Sequence, residues 1–158
     1  MDEKQFLSVI DEHQGIIHKI CRVYRDAKED QEDLFQEIVF QLWRSVLSYR
    51  GDAKITSWMY RVALNTAIAT FRKNKPDISF SDDLPEYPEE LNENHDVRRE
   101  QLFAALKKLD DAEKALITLY FEDMSYKEIA EIMGISENYV AVKLNRIKTK
   151  LQKILKTK

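Results

Sequence analysis

Glycine and proline are scarce in this chain, and cysteine is almost absent. Three of the 158 residues are glycine and three are proline, well below the roughly 7% and 5% of an average protein. Because strands and hairpins depend on such turn residues, their scarcity argues against a β-rich fold. The single cysteine, Cys21, excludes an internal disulfide, and no Cys/His cluster has the spacing of a zinc site. We therefore predict an all-α protein without a metal or other cofactor.

The chain also lacks the long apolar runs of membrane proteins. No stretch approaches the roughly 18 consecutive apolar residues that span a bilayer, and the N-terminus does not have the order of a signal peptide. With 44% apolar and 34% charged residues, the composition is that of a protein with a packed core. We expect a soluble, cytoplasmic protein.

The prolines mark a break between two modules. They all lie in one acidic stretch, as Pro76, Pro85 and Pro88. Residues 76–100 contain 9 acidic and 2 basic residues, a net charge of -7, although the whole chain carries only -3. Because proline ends helices, two small helical domains joined by an acidic linker are predicted. The boundaries that we assign are 1–75 for the N-terminal domain, 76–96 for the linker and 97–158 for the C-terminal domain.

The N-terminal domain begins with two helical patterns. The first has an apolar face that is interrupted near Gly15. The second carries two adjacent apolar residues in every turn and predicts a wide apolar face, made of Leu34, Phe35, Ile38, Val39, Leu42, Trp43, Val46 and Leu47. Its other face is either a solvated surface or a docking face, and it carries Asp33, Gln36, Glu37, Gln41 and Arg44.

A third helical pattern runs from Ile55 to about Phe71. Polar residues recur along it about one turn apart, namely Ser57, Arg61, Asn65 and Arg72. Aromatic residues, including Trp58 and Tyr60, alternate with them, and lysines lie near both ends. Rings stack on bases while cations follow the backbone, so this pattern suits single-stranded nucleic acid. The alternative is that the rings simply belong to the core.

The C-terminal domain has the signals of a helix-turn-helix. Two capping-box signatures open helices, DDAE at Asp110 and SYKE at Ser125. In the sequence MGIS, Gly134 is placed to end one helix and Ser136 to cap the next. The predicted buried face of that next helix consists of Val140, Leu144, Ile147 and Leu151. The residues left around the opposite face are Asn138, Ala141, Val142, Asn145, Arg146 and Thr149.

The second helix of such a unit enters the major groove of DNA. There, asparagine and arginine read base edges, and small apolar side chains contact thymine methyl groups. From Lys143 to Lys158 there are seven basic residues and no acidic one, so Lys143, Arg146 and Lys148 are candidates for base or phosphate contacts. The alternatives are a helical hairpin within a larger bundle and a solvated basic helix end.

No enzyme site competes with these interpretations. The chain has no phosphate-binding glycine loop and no nucleophile elbow, and its three histidines lack partners at metal or triad spacing. We therefore predict a binding protein rather than an enzyme.

The chain resembles the extracytoplasmic-function (ECF) sigma factors of bacteria over nearly its whole length. The resemblance is carried, in order, by EDLFQEIVFQLWRS, by YRGDAKITSWMYRVALNTAIATFRK, by the acidic linker and by LKKLDDAEKALITLYFEDMSYKEIAEIMGISENYVAVKLNRIKTKL. It implies a dissociable subunit of RNA polymerase that directs initiation at particular promoters. The implied partners are core polymerase, promoter DNA and, commonly in the family, an anti-sigma factor.

The resemblance also implies where each partner binds. Docking on the largest core subunit falls to Asp33, Gln36 and Glu37 first, and to Gln41 and Arg44 beside them. Opening of the minus-ten element and capture of a flipped base fall to Arg50, Gly51, Asp52, Ala53, Lys54, Trp58, Tyr60, Arg61, Asn65 and Arg72. Duplex reading of the minus-thirty-five element falls to Ser136, Asn138, Tyr139, Ala141, Val142, Lys143, Asn145, Arg146 and Lys148.

One part of the helix-turn-helix departs from the family pattern. Ala141, Val142 and Lys143 stand where the family commonly has Lys-Ser-Arg, and Tyr139 replaces a usual small polar residue. Fewer hydrogen-bond donors predict an unusual upstream sequence, read partly through apolar contacts and DNA shape.

Two other functions remain open at the level of sequence. An ordinary transcription regulator would use the first domain for sensing or dimerisation and would bind its operator without polymerase. A helical adaptor or anti-sigma-like protein would bind no DNA at any salt concentration, whereas true nucleic-acid binding weakens as salt rises.

Overall fold

The computed structural model describes residues 1–51, 54–73 and 93–156, and all regular structure within these ranges is helical. The predicted all-α class is thereby confirmed. A turn of 3-10 helix, Val46–Ser48, follows the second of the α-helices, which are α1 (Glu3–Tyr24), α2 (Lys28–Ser45), α3 (Ile55–Lys73), α4 (Glu93–Leu106), α5 (Asp111–Phe121), α6 (Tyr126–Met133) and α7 (Glu137–Lys156). Among these described helices, none is long and apolar enough to cross a membrane.

The chain divides into two compact units, Met1–Asp82 and Asp83–Lys158. Helix α4 begins at Glu93, so the last four residues of the predicted linker are helical, and the helix starts earlier than we expected. The reason is local, because no proline follows Pro88 to prevent a helix.

The first unit is a bundle in which α1, α2 and α3 each contact the other two. Helix α1 departs from helical geometry at His13, where φ is -112° and ψ is 18°, close to the predicted interruption at Gly15. After α1 ends, Arg25 donates from Nη2 to the carbonyl of Ala67 at 3.1 Å and so ties α1 to α3. The core consists mainly of aliphatic side chains, including Ile17, Ile20, Leu34, Ile38, Leu42, Met59, Ala63 and Leu64.

In the second unit, α7 contacts α4, α5 and α6 and is the central helix. Both predicted capping boxes are present: Asp110 caps α5 and Ser125 caps α6, each accepting the backbone N–H three residues later. The predicted inner face of α7 is also confirmed, since its four apolar side chains are all buried, namely Val140, Leu144, Ile147 and Leu151. Each such burial contributes about 1.5–3 kcal/mol, which holds α7 in one rotational setting.

Candidate functional site

The exposed face of α2 carries both polar and large apolar side chains. Asp33, Gln36 and Arg44 are exposed, and on the same face Phe40 is 52% and Trp43 is 42% exposed. At about 100° per residue, these five positions fall within about 100° around the helix. Large apolar side chains that a helix leaves in solvent are typical of interaction surfaces. We call this set of five residues the α2 face.

The other two predicted docking residues lie at one edge of the α2 face. Gln41 donates from Nε2 to Oε1 of Glu37 at 3.0 Å, and both side chains are half-buried. Arg44 lies with its guanidinium carbon 5.7 Å from the centre of the Phe40 ring. These contacts limit the rotamers of long side chains, so part of the entropy cost of binding a partner is met before the partner arrives.

The apolar stripe of α2 divides into two parts, and this corrects the expectation of one apolar face turned to the core. Leu34, Ile38, Leu42 and Val46 are buried, but Trp43 is exposed and Leu47 is 93% exposed. The stripe is too wide for the contact with α1 and α3 to cover. Sequence reasoning therefore missed Phe40 and Trp43 as surface residues. For Trp43 the signal was the excess width of the stripe, whereas Phe40 lies outside the stripe, between Asp33 and Gln36 around the helix.

An open groove of about 550 Å³ runs between the start of α1 and the α2 face. Four aromatic residues line it, and the rings of two of them, Phe6 and Trp43, lie 5.0 Å apart, centre to centre. Each helix also contributes a polar residue to the lining of the groove, Glu3 from α1 and Gln36 from α2. The groove thus extends the α2 face with apolar surface. Its lining is Glu3, Phe6, Leu7, Phe35, Gln36, Val39, Phe40 and Trp43.

A second polar surface lies along α3. Arg61 and Asn65 are exposed one turn apart, with Ser57 half-buried on the same side. Trp58 is half-buried, and its ring lies 5.1 Å from the ring of Tyr49, tilted by 35°. The Trp58 indole therefore packs against the Tyr49 ring, next to the exposed Arg61 and Asn65. We call Trp58, Arg61 and Asn65 the α3 stripe.

Tyr60 does not belong to this stripe, and its predicted contact with DNA is wrong. Its side chain is 1% exposed, inside the bundle. The reason is helical geometry, because Tyr60 is about 160° from Trp58 and about 140° from Asn65 around α3. Among the described residues its hydroxyl has no hydrogen-bond partner, and burial raises the pKa of this phenol far above its ordinary value.

The loop before α3 is described only in part. Arg50 and Gly51 are exposed, and Gly51 has a φ of 81°, in the left-handed region that favours glycine. Lys54 is exposed immediately before α3. Asp52 and Ala53 lie outside the described residues, and the same holds for the side chain of Arg72.

The helix-turn-helix is built as its sequence signals predict. Gly134 ends α6 with φ 72° and ψ 36°, and its N–H donates to the carbonyl of Ala130 at 2.8 Å. Ser136 caps α7, because its Oγ accepts the backbone N–H of Tyr139 at 3.1 Å. Ser136 is thus a structural cap at the start of the candidate recognition helix.

The outer face of α7 carries uncharged polar, apolar and basic side chains. Asn138, Asn145 and Arg146 are exposed, Val142 is 50% exposed and Tyr139 is 49% exposed. Farther around the helix, Ala141 and Lys143 are half-buried, and the Lys143 ammonium lies 5.7 Å from the centre of the Tyr139 ring.

Two lysines of the basic run are engaged with α5. The Lys148 ammonium lies 4.1 Å from the centre of the Tyr120 ring, and interaction with the Tyr120 side chain raises the pKa of Lys148. Lys150 pairs with Glu113 at 3.1 Å. Lys148 therefore contacts α5 from α7, and its role in DNA binding stays a prediction.

The buried titratable groups offer no further chemistry at these surfaces. Burial raises the pKa of the Cys21 thiol to about 12, against the opposing charge of Arg25, so the thiol stays protonated. His18 is stacked on Phe35 at 4.5 Å, and burial lowers its pKa below 6.5. Within the described ranges, no group of three or more His, Cys, Asp or Glu residues could hold a metal ion.

Two family models match the chain, one in each unit. Residues 9–76 match the model described as Sigma-70 region 2, and residues 99–151 match that described as Sigma-70, region 4. RNA polymerase sigma factor SigV of Bacillus subtilis (strain 168) is 32% identical over 153 residues, covering 96% of this chain and 91% of that protein. ECF RNA polymerase sigma factor SigW of the same organism is 26% identical, covering 98% and 91%.

Two solved structures share the fold. The sigma factor RpoE from Bartonella quintana, in complex with the anti-sigma factor NepR, superposes with a TM-score of 0.76, covering 97% of this chain and 98% of that one. CnrH, in complex with the cytosolic domain of CnrY, gives a TM-score of 0.72 and covers 99% and 90%. Both are 19% identical to this chain.

Proposed function

This chain belongs to the sigma-70 family as an ECF sigma factor, which serves promoter-specific initiation by RNA polymerase, and from this premise we propose how its helices divide the work. Helix α2 binds the core enzyme. Helix α3 and the loop before it capture the melted minus-ten element, and α7 reads the minus-thirty-five element as duplex. Sigma factors are in general not enzymes, so the task of this chain is to recruit polymerase and to select DNA.

The α2 face is the observation that carries core binding. Its exposed Phe40 and Trp43 stand beside Asp33, Gln36 and Arg44. Aromatic residues and arginine dominate the energetics of protein interfaces, and acidic and amide groups add direction. A partner with basic and apolar side chains would complement this surface. The same exposed apolar area also suits an anti-sigma factor, which would compete with polymerase by covering it.

The α3 stripe supports capture of single-stranded DNA. A half-buried indole beside an exposed guanidinium and an exposed amide provides a stacking surface, a cation for the backbone and a group that can hydrogen-bond a base edge. Extruding a base from the duplex costs a few kcal/mol, and stacking contributes about 1–3 kcal/mol per base. Arg50, Gly51 and Lys54 extend the proposed site, and Asp52, Ala53 and Arg72 stay in it as predictions from the sequence.

Core binding is tested by comigration of the full chain with bacterial core polymerase. Phe40→Ala should weaken binding about 30-fold, the effect of losing an interface residue worth about 2 kcal/mol. The triple variant Asp33→Ala, Gln36→Ala, Glu37→Ala should weaken it further. Glu12→Ala, which removes an exposed carboxylate from α1, is the matched control and should bind normally. Normal core binding by both α2 variants would refute the docking assignment.

Strand capture is tested in the complex with core polymerase. Arg61→Ala and Asn65→Ala should reduce promoter opening while core binding stays at the wild-type level, because both side chains project from α3 into solvent. Normal opening in both variants would exclude the α3 stripe. If the chain ignored core polymerase and still bound duplex DNA, the function would be that of an ordinary transcription regulator.

A further inference from the structure

Helix α7 carries an exposed aliphatic side chain that is not part of its buried face. The inner face is filled by four buried side chains, whereas Val142 lies on the opposite side and is 50% exposed. Because valine is uncharged, it cannot attract DNA phosphates. In a major groove, however, an aliphatic side chain can contact the C5-methyl group of thymine.

Two asparagines accompany Val142 on the outer face. Asn138 precedes it by four residues and Asn145 follows it by three, and both are exposed. At about 100° per residue, the three side chains lie within about 60° around the helix, so they can face one groove together. At about 1.5 Å rise per residue they span about 10 Å along the axis, the length of about three base-pair steps.

The chemistry of this uncharged stripe matches A·T pairs. Asparagine forms two hydrogen bonds with adenine, to N6 and N7, and guanine is instead read by arginine or lysine. The cationic neighbours flank this stripe rather than form it. Arg146 is exposed about 40° from Val142 around the helix, Lys143 is half-buried against Tyr139, and Lys148 lies against Tyr120. The middle of the outer face is therefore left to amide and aliphatic groups.

We infer that α7 selects an upstream duplex containing A·T pairs, with Val142 against a thymine methyl group and Asn138 and Asn145 on adenines. This inference rests on the proposed function, in which α7 reads the minus-thirty-five element. Val142 is then a residue that determines promoter specificity.

The test begins with the full chain bound to core polymerase. Duplexes with a randomised upstream segment are selected for binding, and in the best of them each thymine is replaced in turn by deoxyuridine, which lacks only the methyl group. One replacement should weaken wild-type binding about fourfold, the effect of one buried methyl group. Val142→Ala should bind the thymine duplex with a similar loss and should no longer distinguish thymine from deoxyuridine at that position.

Two further sets of variants complete the test. Val97→Ala removes a valine of comparable exposure, 57%, from α4 and should leave the methyl effect intact. Asn138→Ala and Asn145→Ala should each reduce the preference for one adenine about tenfold, within the range measured for bidentate contacts.

The outcomes separate this inference from the proposed function. If the complex with core forms but enriches no upstream sequence, duplex reading by α7 is itself wrong. If a sequence is enriched but deoxyuridine has no effect, or has the same effect in Val142→Ala as in wild type, the methyl contact is refuted while duplex reading stands. Enrichment of a segment without A·T pairs would also overturn the inference.

Discussion

Replacing Gly134 tests how the turn before α7 is held. A Cβ at this position would meet no atom within 4 Å, so the cost of substitution is conformational. An L-residue in the left-handed region destabilises the folded state by about 1–2 kcal/mol. Alanine also lowers the conformational entropy of the unfolded chain, which offsets about 0.4–1 kcal/mol of this cost. Gly134→Ala should therefore destabilise the second unit by about 1 kcal/mol. Gly134→Asn should cost less, because asparagine tolerates this conformation.

The two units can be followed separately during unfolding. Both tryptophans, Trp43 and Trp58, belong to the first unit, so tryptophan fluorescence reports on that unit, whereas far-ultraviolet circular dichroism reports on the helices of both. Gly134→Ala should lower a transition seen by circular dichroism by about 4–8 °C and leave the fluorescence transition in place. Gly15→Ala is the matched control within α1, where open space also surrounds the new Cβ. It should stabilise the first unit by about 0.5–1 kcal/mol.

Unfolding of the Gly134→Ala chain at the wild-type temperature would refute a conformational cost at this position. Equal instability of Gly134→Asn and Gly134→Ala would show that the cost does not come from the left-handed backbone. Destabilising α7 should also weaken the proposed reading of DNA, since the turn at Gly134 positions this helix. Weaker upstream selectivity is expected in Gly134→Ala near its unfolding temperature.

Three other predictions concern buried groups of the first unit, each followed by tryptophan fluorescence or thiol labelling. Tyr60→Phe removes a buried hydroxyl without a partner among the described residues and should raise stability by up to about 1–3 kcal/mol; a loss would show that the hydroxyl is satisfied. Burial lowers the pKa of His18, so this imidazole binds a proton more readily in the unfolded chain than in the folded one. The stability of the first unit should therefore fall as pH drops through 6.5, and it should level off below the pKa of His18 in the folded protein. His18→Phe should flatten that profile, and an equally steep profile would exclude His18. Because burial raises the pKa of Cys21 to about 12, the thiol should react with a disulfide reagent only as fast as the unit opens, and rapid native-state labelling would contradict its burial.

The C-terminal unit shows how far local sequence patterns reach. The capping boxes, the left-handed Gly134 and the four buried positions of α7 were all predictable. Each depends on residues a few positions apart, and α7 has a single narrow apolar stripe, so only one rotational setting buries it. Its outer residues, among them Val142 and Asn145, follow from that setting.

The first unit and the cationic contacts depended on distant neighbours. The apolar stripe that begins in α2 is wider than α1 and α3 can cover, and only their packing left Trp43 and Leu47 outside. Similarly, nothing near Lys148 in the sequence indicates that Tyr120 lies under its ammonium group.

The scarcity of glycine and proline thus determined the helical class, and the capping residues with Gly134 determined the helix-turn-helix. Periodicity determined the inner face of α7, because a helix repeats its geometry every 3.6 residues whatever surrounds it. Packing between helices decided which part of the wide apolar stripe stays in solvent. It also decided which lysine of α7 contacts an aromatic ring of α5. That packing follows from the shapes and sizes of side chains remote in sequence.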